Sequence, residues 1–149
     1  MSKYVIKIAD TEDELREYFR IRHEVFVKEQ HIFSDTDVDE KDDKAIHIIG
    51  VEKTSGEIVG VVLCYREEDN TWFGGRLGAD PNHRNGRVGS HLVKFAVSTA
   101  KSRGCEKFLA YIQPANIKFF QRLNWKTLGE PVTYQGLPHH LMEANLEFY

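Results

Sequence analysis

The stretch Arg76–Gly104, RLGADPNHRNGRVGSHLVKFAVSTAKSRG, constrains the fold more than any other part of the chain. An apolar, glycine-containing segment, Thr71–Ala79, reads as a strand that runs into a turn at Asp80-Pro81. A basic loop follows, His83-Arg84-Asn85-Gly86-Arg87-Val88-Gly89. Val88, Leu92, Val93, Ala96, Val97 and Ala100 then recur at helical spacing, and Gly104 stands where a glycine closes a helix. A strand, a glycine loop and a helix N-terminus together form an anion site. Unpaired first-turn N–H groups face the loop, the helix dipole adds partial positive charge, and small residues admit a phosphate to the backbone. Arg84 and Arg87 add full charges, so a pyrophosphate-bearing cofactor is the natural guest. The loop carries neither G-x-G-x-x-G nor G-x-x-x-x-G-K-[ST]. A plain strand-to-helix turn with glycine at two tight places is therefore the competing account.

At 149 residues the chain is expected to form one domain, residues 1–149, with a proper core. A net charge of −3 gives no electrostatic case for nucleic acid. The opening MSKYVIKIAD lacks the apolar core of a signal peptide, and the longest apolar run, Ile58–Tyr65, is too short to cross a bilayer. Cys64 and Cys105 make neither a disulfide framework nor a metal knuckle and read as buried thiols. A cytoplasmic protein, without membrane partner or metal site, is expected.

In chain order, Tyr4–Ala9 reads as a first strand, and Thr11-Glu12-Asp13-Glu14 is a capping box opening a helix. The apolar face of that helix runs Leu15, Tyr18, Phe19, Val25, Phe26, and Arg22 and Glu29 fall on the same stripe. A charge on a buried stripe needs a partner. Arg22 pairs with an acidic residue of the next loop, or this end of the helix borders a polar site. The run Asp35, Asp37, Asp39, Glu40, Asp42, Asp43 starts like a calcium loop but has Glu40 where glycine is needed and Ile46 where a bidentate Glu is needed. Calcium is rejected; the run is a solvated acidic loop, or one that attracts a cationic substrate. Ala45–Lys53, Glu57–Tyr65 and Thr71–Ala79 read as three antiparallel strands joined by short turns. His47 lies inside the first of them. Gly74, Gly75 and Gly78 mark a bulge or a place where a ligand meets the backbone. Lys107–Ile112 is a further strand, parallel to Thr71–Ala79 through a right-handed crossover. Ala115–Leu123 is a short helix ended by Asn124, and Trp125–Leu128 and His140–Phe148 read as two closing strands around a loop Gly129–Pro138.

That order of elements, with RLGADPNHRNGRVGSHLV, resembles the GNAT superfamily of acyl-CoA-dependent N-acetyltransferases. The resemblance covers nearly the whole chain. Arg84-Asn85-Gly86-Arg87-Val88-Gly89 is similar to the family's [RQ]-x-x-G-x-[GA] loop at both ends, with Arg87 replacing its glycine. ANIKFFQRLNW resembles N-x-x-A-x-x-F-Y-x-x-x-G-F: Asn116 fits, Asn124 replaces the glycine, Trp125 the aromatic, and Phe120 stands where many members have tyrosine. IRHEVFVKEQ and YQGLPHHLMEA resemble a subset of small bacterial members, including ones encoded near nitrilase-type gene clusters.

The resemblance implies an α/β (α+β) GNAT fold. Its mixed sheet has about six to seven strands, antiparallel in its N-terminal part and with a splayed parallel pair at the cofactor site, flanked by about four helices. It implies acetyl-CoA as co-substrate and a small-molecule amine as acceptor attacking the thioester directly, and it makes a homodimer a possibility. The pyrophosphate would take Arg84, Asn85, Gly86, Arg87, Val88, Gly89 and Ser90, and the pantetheine the backbone of Leu77, Gly78 and Ala79. Asn116, Phe119 and Phe120 would flank the cofactor. Arg22, Glu29 and Asp39 are candidates for the acceptor side. Phe120 has no proton for the leaving thiolate, so a thiolate that leaves unaided or a group in the segment Tyr134, His139, His140 are the alternatives, with His139 the candidate. A CoA-binding module without transfer activity and a nucleotide-binding domain are the competing classes.

Overall fold

A seven-stranded mixed sheet in the order β1-β2-β3-β4-β5-β7-β6 carries the molecule. The computed structural model describes residues 2–149, except that the side chains of Asn85 and Gly86 lie outside the described residues. The strands are β1 Tyr4–Ile8, β2 Ile46–Glu52, β3 Ile58–Glu68, β4 Thr71–Ala79, β5 Lys107–Ile112, β6 Trp125–Tyr134 and β7 Leu137–Ala144. Three α-helices, α1 Glu12–Arg22, α2 Val88–Ser102 and α3 Ile117–Arg122, flank it, one fewer than expected. The capping box is present: the Thr11 hydroxyl accepts from Glu14 N–H, and the Glu14 carboxylate accepts from Thr11 N–H. The helix then widens without a break into a π-helical segment, His23–Glu29, so the apolar stripe read as one helix is two kinds of helix in series.

The sheet is buried on both faces because β2 and β3 carry apolar residues on both sides of the pleat. Ile48, Val62 and Cys64 join α2, while Ile49 and Val61 join Tyr18, Ile21, Val25 and Phe26 of the N-terminal helical arm. Helix α2 lies unusually close to the sheet over two glycines. A Cβ at Gly50 would fall 2.6 Å from Val88, and one at Gly60 would fall 2.8 Å from Leu92. Val88 and Leu92 are buried there at 1% and 0% exposure, each worth about 1.5–3 kcal/mol of transfer free energy.

β1 to β4 are antiparallel throughout, and β4 and β5 are parallel. Between β3 and β4 the register slips: Val61 faces Gly78 and Leu63 faces Gly75, leaving Arg76 and Leu77 opposite Val62 alone. This is the bulge that the glycines signalled, and Arg76 occupies it at φ +54°. The parallel pair is short. It joins Thr71–Phe73 to Lys107–Leu109 and then opens, so Gly74–Ala79 and Ala110–Ile112 face each other without a ladder.

The C-terminal part differs from expectation. Gly129–Pro138 is not a loop: β6 extends to Tyr134, and β7 begins at Leu137. A two-residue turn, Gln135-Gly136, joins them, with φ +52° and +77°, the backbone sign that matches strand twist in a tight hairpin. Pro131 is tolerated because β6 is the sheet edge and because the ladder is broken between Leu128 and Val132. His139 and His140 are therefore strand residues of β7. β7 in turn ends at Ala144, and Leu146–Phe148 forms a 3-10 turn.

Candidate active site

The divergence of β4 and β5 opens a cavity of about 280 Å³ in the sheet. Both diverging strands wall it, Gly74 to Leu77 from β4 and Ala110 to Ile112 from β5. Among the residues singled out in the sequence, Asp39, Leu77, Asn116, Phe120, Tyr134 and His139 line this cavity. At the end of β4 the chain turns through Asp80, whose side chain accepts from Asn82 N–H, and a 3-10 turn Pro81–Gly86 leads to Arg87 at φ +64°. No side chain caps α2, so among the described residues its first-turn N–H groups, from Val88, Gly89 and Ser90, keep their donor capacity. Gly89 is overlaid by Phe119, which a Cβ would meet at 3.5 Å, an ordinary contact. Val88 offers only its backbone, since its side chain is in the core.

Arg84 is held beside this loop by Glu29, Nη1 to Oε2 at 2.8 Å. The Arg84 hydrogen bond holds the Glu29 carboxyl below its usual range. Both side chains are about two-fifths exposed, so the pair is worth no more than about 1 kcal/mol and a phosphate could take Arg84 over. Glu29 thus belongs to the loop and does not line the cavity, contrary to its expected place on the acceptor side.

Arg22 does not line it either. Its guanidinium is fully buried and donates to the carboxylates of Asp37 and Asp42, at 2.7 and 2.6 Å, and to the Asp37 carbonyl. The acidic run is solvated only in part: Asp37 is 2% exposed and is the counter-ion of two arginines, Arg22 and Arg76. Arg76 reaches Asp37 and Asp39 from the bulge, lies 4.4 Å over the Phe33 ring, and donates to the Tyr134 hydroxyl at 3.5 Å. One edge of the same cluster fixes a tautomer. A carbonyl can only accept, so His47 donates from Nε2 to Asp42 O, and its Nδ1 accepts from the Tyr18 hydroxyl at 2.8 Å. Burial keeps His47 neutral by pushing its pKa down.

Apart from Phe120 and Tyr134, the sequence singled out neither Arg76 nor the aromatic residues of the cavity as site residues. Arg76 carried one readable signal, its place directly after Gly74-Gly75 in a strand where a bulge was expected. The same reasoning fixes His139. Its Nδ1 lies 3.0 Å from the Leu137 carbonyl and must carry the proton, which leaves the Nε2 lone pair free on a residue only 3% exposed. Tyr134 abuts it edge-on at 5.1 Å. Phe120 is 5% exposed and packs edge-on against Trp125 and Phe119.

A mixed sheet with a bulged β4, a splayed parallel pair and an uncapped helix at its mouth defines an acyltransferase architecture. Residues 8–125 match the model of the acetyltransferase (GNAT) family, and the chain belongs to that family. It is 28% identical over 133 residues to an uncharacterized N-acetyltransferase, YjcF, of Bacillus subtilis (strain 168), covering 89% of this chain and 93% of that protein. Its fold is similar to Escherichia coli ElaA, with a TM-score of 0.81, 21% identity and coverage of 97% and 100%. It is also similar to an aminoglycoside 6'-N-acetyltransferase complexed with coenzyme A, with a TM-score of 0.77, 14% identity and coverage of 95% and 97%. Among the described residues no helix is long and apolar enough to cross a membrane.

Proposed function

We propose that this chain transfers an acetyl group from acetyl-CoA to the primary amine of a small molecule, by direct attack within a ternary complex. The observation that carries the reading is the continuous path from the cavity, along the unpaired edge of β4, to the uncapped N-terminus of α2. A pantetheine chain needs amide partners along a strand, and a pyrophosphate needs N–H groups and cations at its end. Leu77, Gly78 and Ala79 supply the former; Arg84, Asn85, Gly86, Arg87, Val88, Gly89 and Ser90 supply the latter. Asn116, Phe119 and Phe120 flank the cofactor chain. The similar fold complexed with coenzyme A supports a CoA-type co-substrate.

In the reaction the amine nitrogen bonds to the thioester carbonyl carbon, the C–S bond breaks, and the thiolate leaves. One proton must leave the amine and one must reach the sulfur. His139 Nε2 takes the amine proton, and the Tyr134 hydroxyl is the neighbouring proton donor. The thiol of CoA resembles a free cysteine, with pKa about 8.5, so Phe120 costs the reaction little by having no proton to give. Asp39 stands at the acceptor mouth.

The test joins binding to turnover. Gly89→Glu places a carboxylate against the phosphates, and calorimetry should show CoA binding abolished while the fold persists; unchanged affinity would remove the loop from the site. His139→Ala should lower kcat roughly a hundredfold with the acetyl-CoA KM nearly unchanged. A wild-type kcat across the pH range would remove His139 from the proton transfer. CoA binding without product from any amine would make the chain a CoA-binding module.

A further inference from the structure

Four aromatic rings form a row over the sheet surface that α1 leaves uncovered. Tyr65 of β3 stacks on Phe73 of β4 with centroids 6.1 Å apart, and Phe73 on Tyr111 of β5 at 5.9 Å. Tyr111 stacks on Tyr134 of β6 at 5.4 Å, reaching over the intervening β7. The planes are within 7° to 21° of parallel, the offset-stacked geometry that ring quadrupoles favour. All four rings line the cavity, and Phe26 and Phe33 line it from the N-terminal arm and the acidic loop. The middle of the row lies at the fork of the sheet. Phe73 is the last residue of β4 paired to β5, and Tyr111 is two residues past its partner Leu109. A molecule lying on the row therefore presents its end where the backbone of β4 becomes free.

The charges of the cavity narrow the chemistry further. Asp39, Glu67, Lys41 and Arg76 line it, two of each sign. Asp39 is held by Arg76 at 3.4 Å and Glu67 lies 3.9 Å from Lys44, while Lys41 sits 5.2 Å over the Tyr65 ring. An acceptor with several ammonium groups would meet two cations and find both carboxylates already partnered. An uncharged aromatic body meets a matching wall.

We propose that the acceptor is an aromatic primary amine with a single cationic centre, its ring packed against the Tyr65–Phe73–Tyr111–Tyr134 row and its amine at the fork. This rests on the acetyl-transfer reading for the fate of the amine but not for the preference of the cavity, and the two are separable by experiment. 2-Phenylethylamine, n-hexylamine and spermidine are titrated into the full chain saturated with CoA, and the same amines are assayed for amide product with acetyl-CoA. One well-placed ring contact is worth roughly three- to tenfold in affinity. 2-Phenylethylamine should bind about fivefold or more tightly than n-hexylamine, with spermidine weakest. Tyr111 is 41% exposed, so Tyr111→Leu should keep the fold and the CoA affinity while bringing the phenylethylamine-to-hexylamine ratio close to one. Equal binding of the two monoamines, tightest binding of spermidine, no binding of any amine, or an unchanged ratio in Tyr111→Leu would each overturn the proposal. Preferential binding of the aromatic amine with no amide product would uphold it and defeat the transferase reading alone.

Discussion

Arg22 and Asp42 show how a single residue ties the first helix to the acidic loop. Arg22 is fully buried and reaches two carboxylates, so removing one partner leaves a buried cation half paired. Asp42→Asn should cost about 3 kcal/mol at neutral pH by urea unfolding, the scale of breaking a buried pair. Burial alone would raise the Asp42 carboxyl; the Arg22 hydrogen bonds and the Asp39 N–H outweigh it and hold it below its ordinary 3.8. A depressed folded value means that the unfolded chain binds the proton first as pH falls. The stabilisation is therefore complete above about 3.8 and is lost as pH drops through the lower folded value. The gap between wild type and Asp42→Asn should stay constant from neutral pH to about 5 and then close below it. A gap that persists undiminished in acid would assign the loss to packing. The partner of Arg22 was half legible: a charge on an apolar stripe demanded one, and the acidic run was the nearest source. Glu29 obeyed the same rule and found Arg84, which no spacing along the helix could name.

At the scale of elements, α2 is the part on which both binding and stability depend, and its height above the sheet is set by Gly50 and Gly60. A Cβ at Gly60 would stand 2.8 Å from Leu92 and 2.9 Å from Val88, the first residue of the helix. Gly60→Ala should cost about 1–3 kcal/mol by overpacking and should weaken CoA by lifting the helix N-terminus. Gly56→Ala is the control: its turn has φ +74° and open space around it, so backbone strain of about 1 kcal/mol is expected with CoA affinity unchanged. Unfolding curves and CoA titrations of the two variants distinguish a packing glycine from a turn glycine. Equal losses of affinity in both would detach the helix position from binding. The segments that read clearly, β4, α2 and β5, have strong periodicity and defined ends. The β6–β7 hairpin did not, because Gly129 and Pro131 mimic a loop. An edge strand tolerates both, and whether a strand is an edge depends on a sheet order that the local sequence does not carry.

For the whole molecule, the splayed sheet is a structure with a missing partner. β4 beyond Phe73 is laddered to β3 on one side only, and β5 beyond Leu109 to β7 on one side only. A ligand that fills the gap should close it thermodynamically. At a hundredfold excess over its Kd, CoA adds about 2.7 kcal/mol to unfolding. Hydrogen exchange should slow at Gly74–Ala79 and in the first turn of α2, and little in β1 and β2. Protection spread evenly over the sheet would mean that the ligand acts on global stability without lying along β4.

The sequence by itself determined the order of strands and helices, the glycine loop at a helix N-terminus, the bulge before it and the family they resemble. These are legible because periodicity, capping and turn chemistry act over a few neighbouring residues. The tertiary structure decided which groups share the cavity. It took Glu29 to Arg84, buried Asp37 between two arginines, placed Arg76 in the bulge, and brought Tyr65, Phe73, Tyr111 and Tyr134 into one row. The reason is that a hydrophobic pattern states only which side of an element is buried. Which residues meet across that side follows from β7 inserting between β5 and β6 and from the pairing of β4 with β5 ending at Phe73, and both are properties of the assembled sheet.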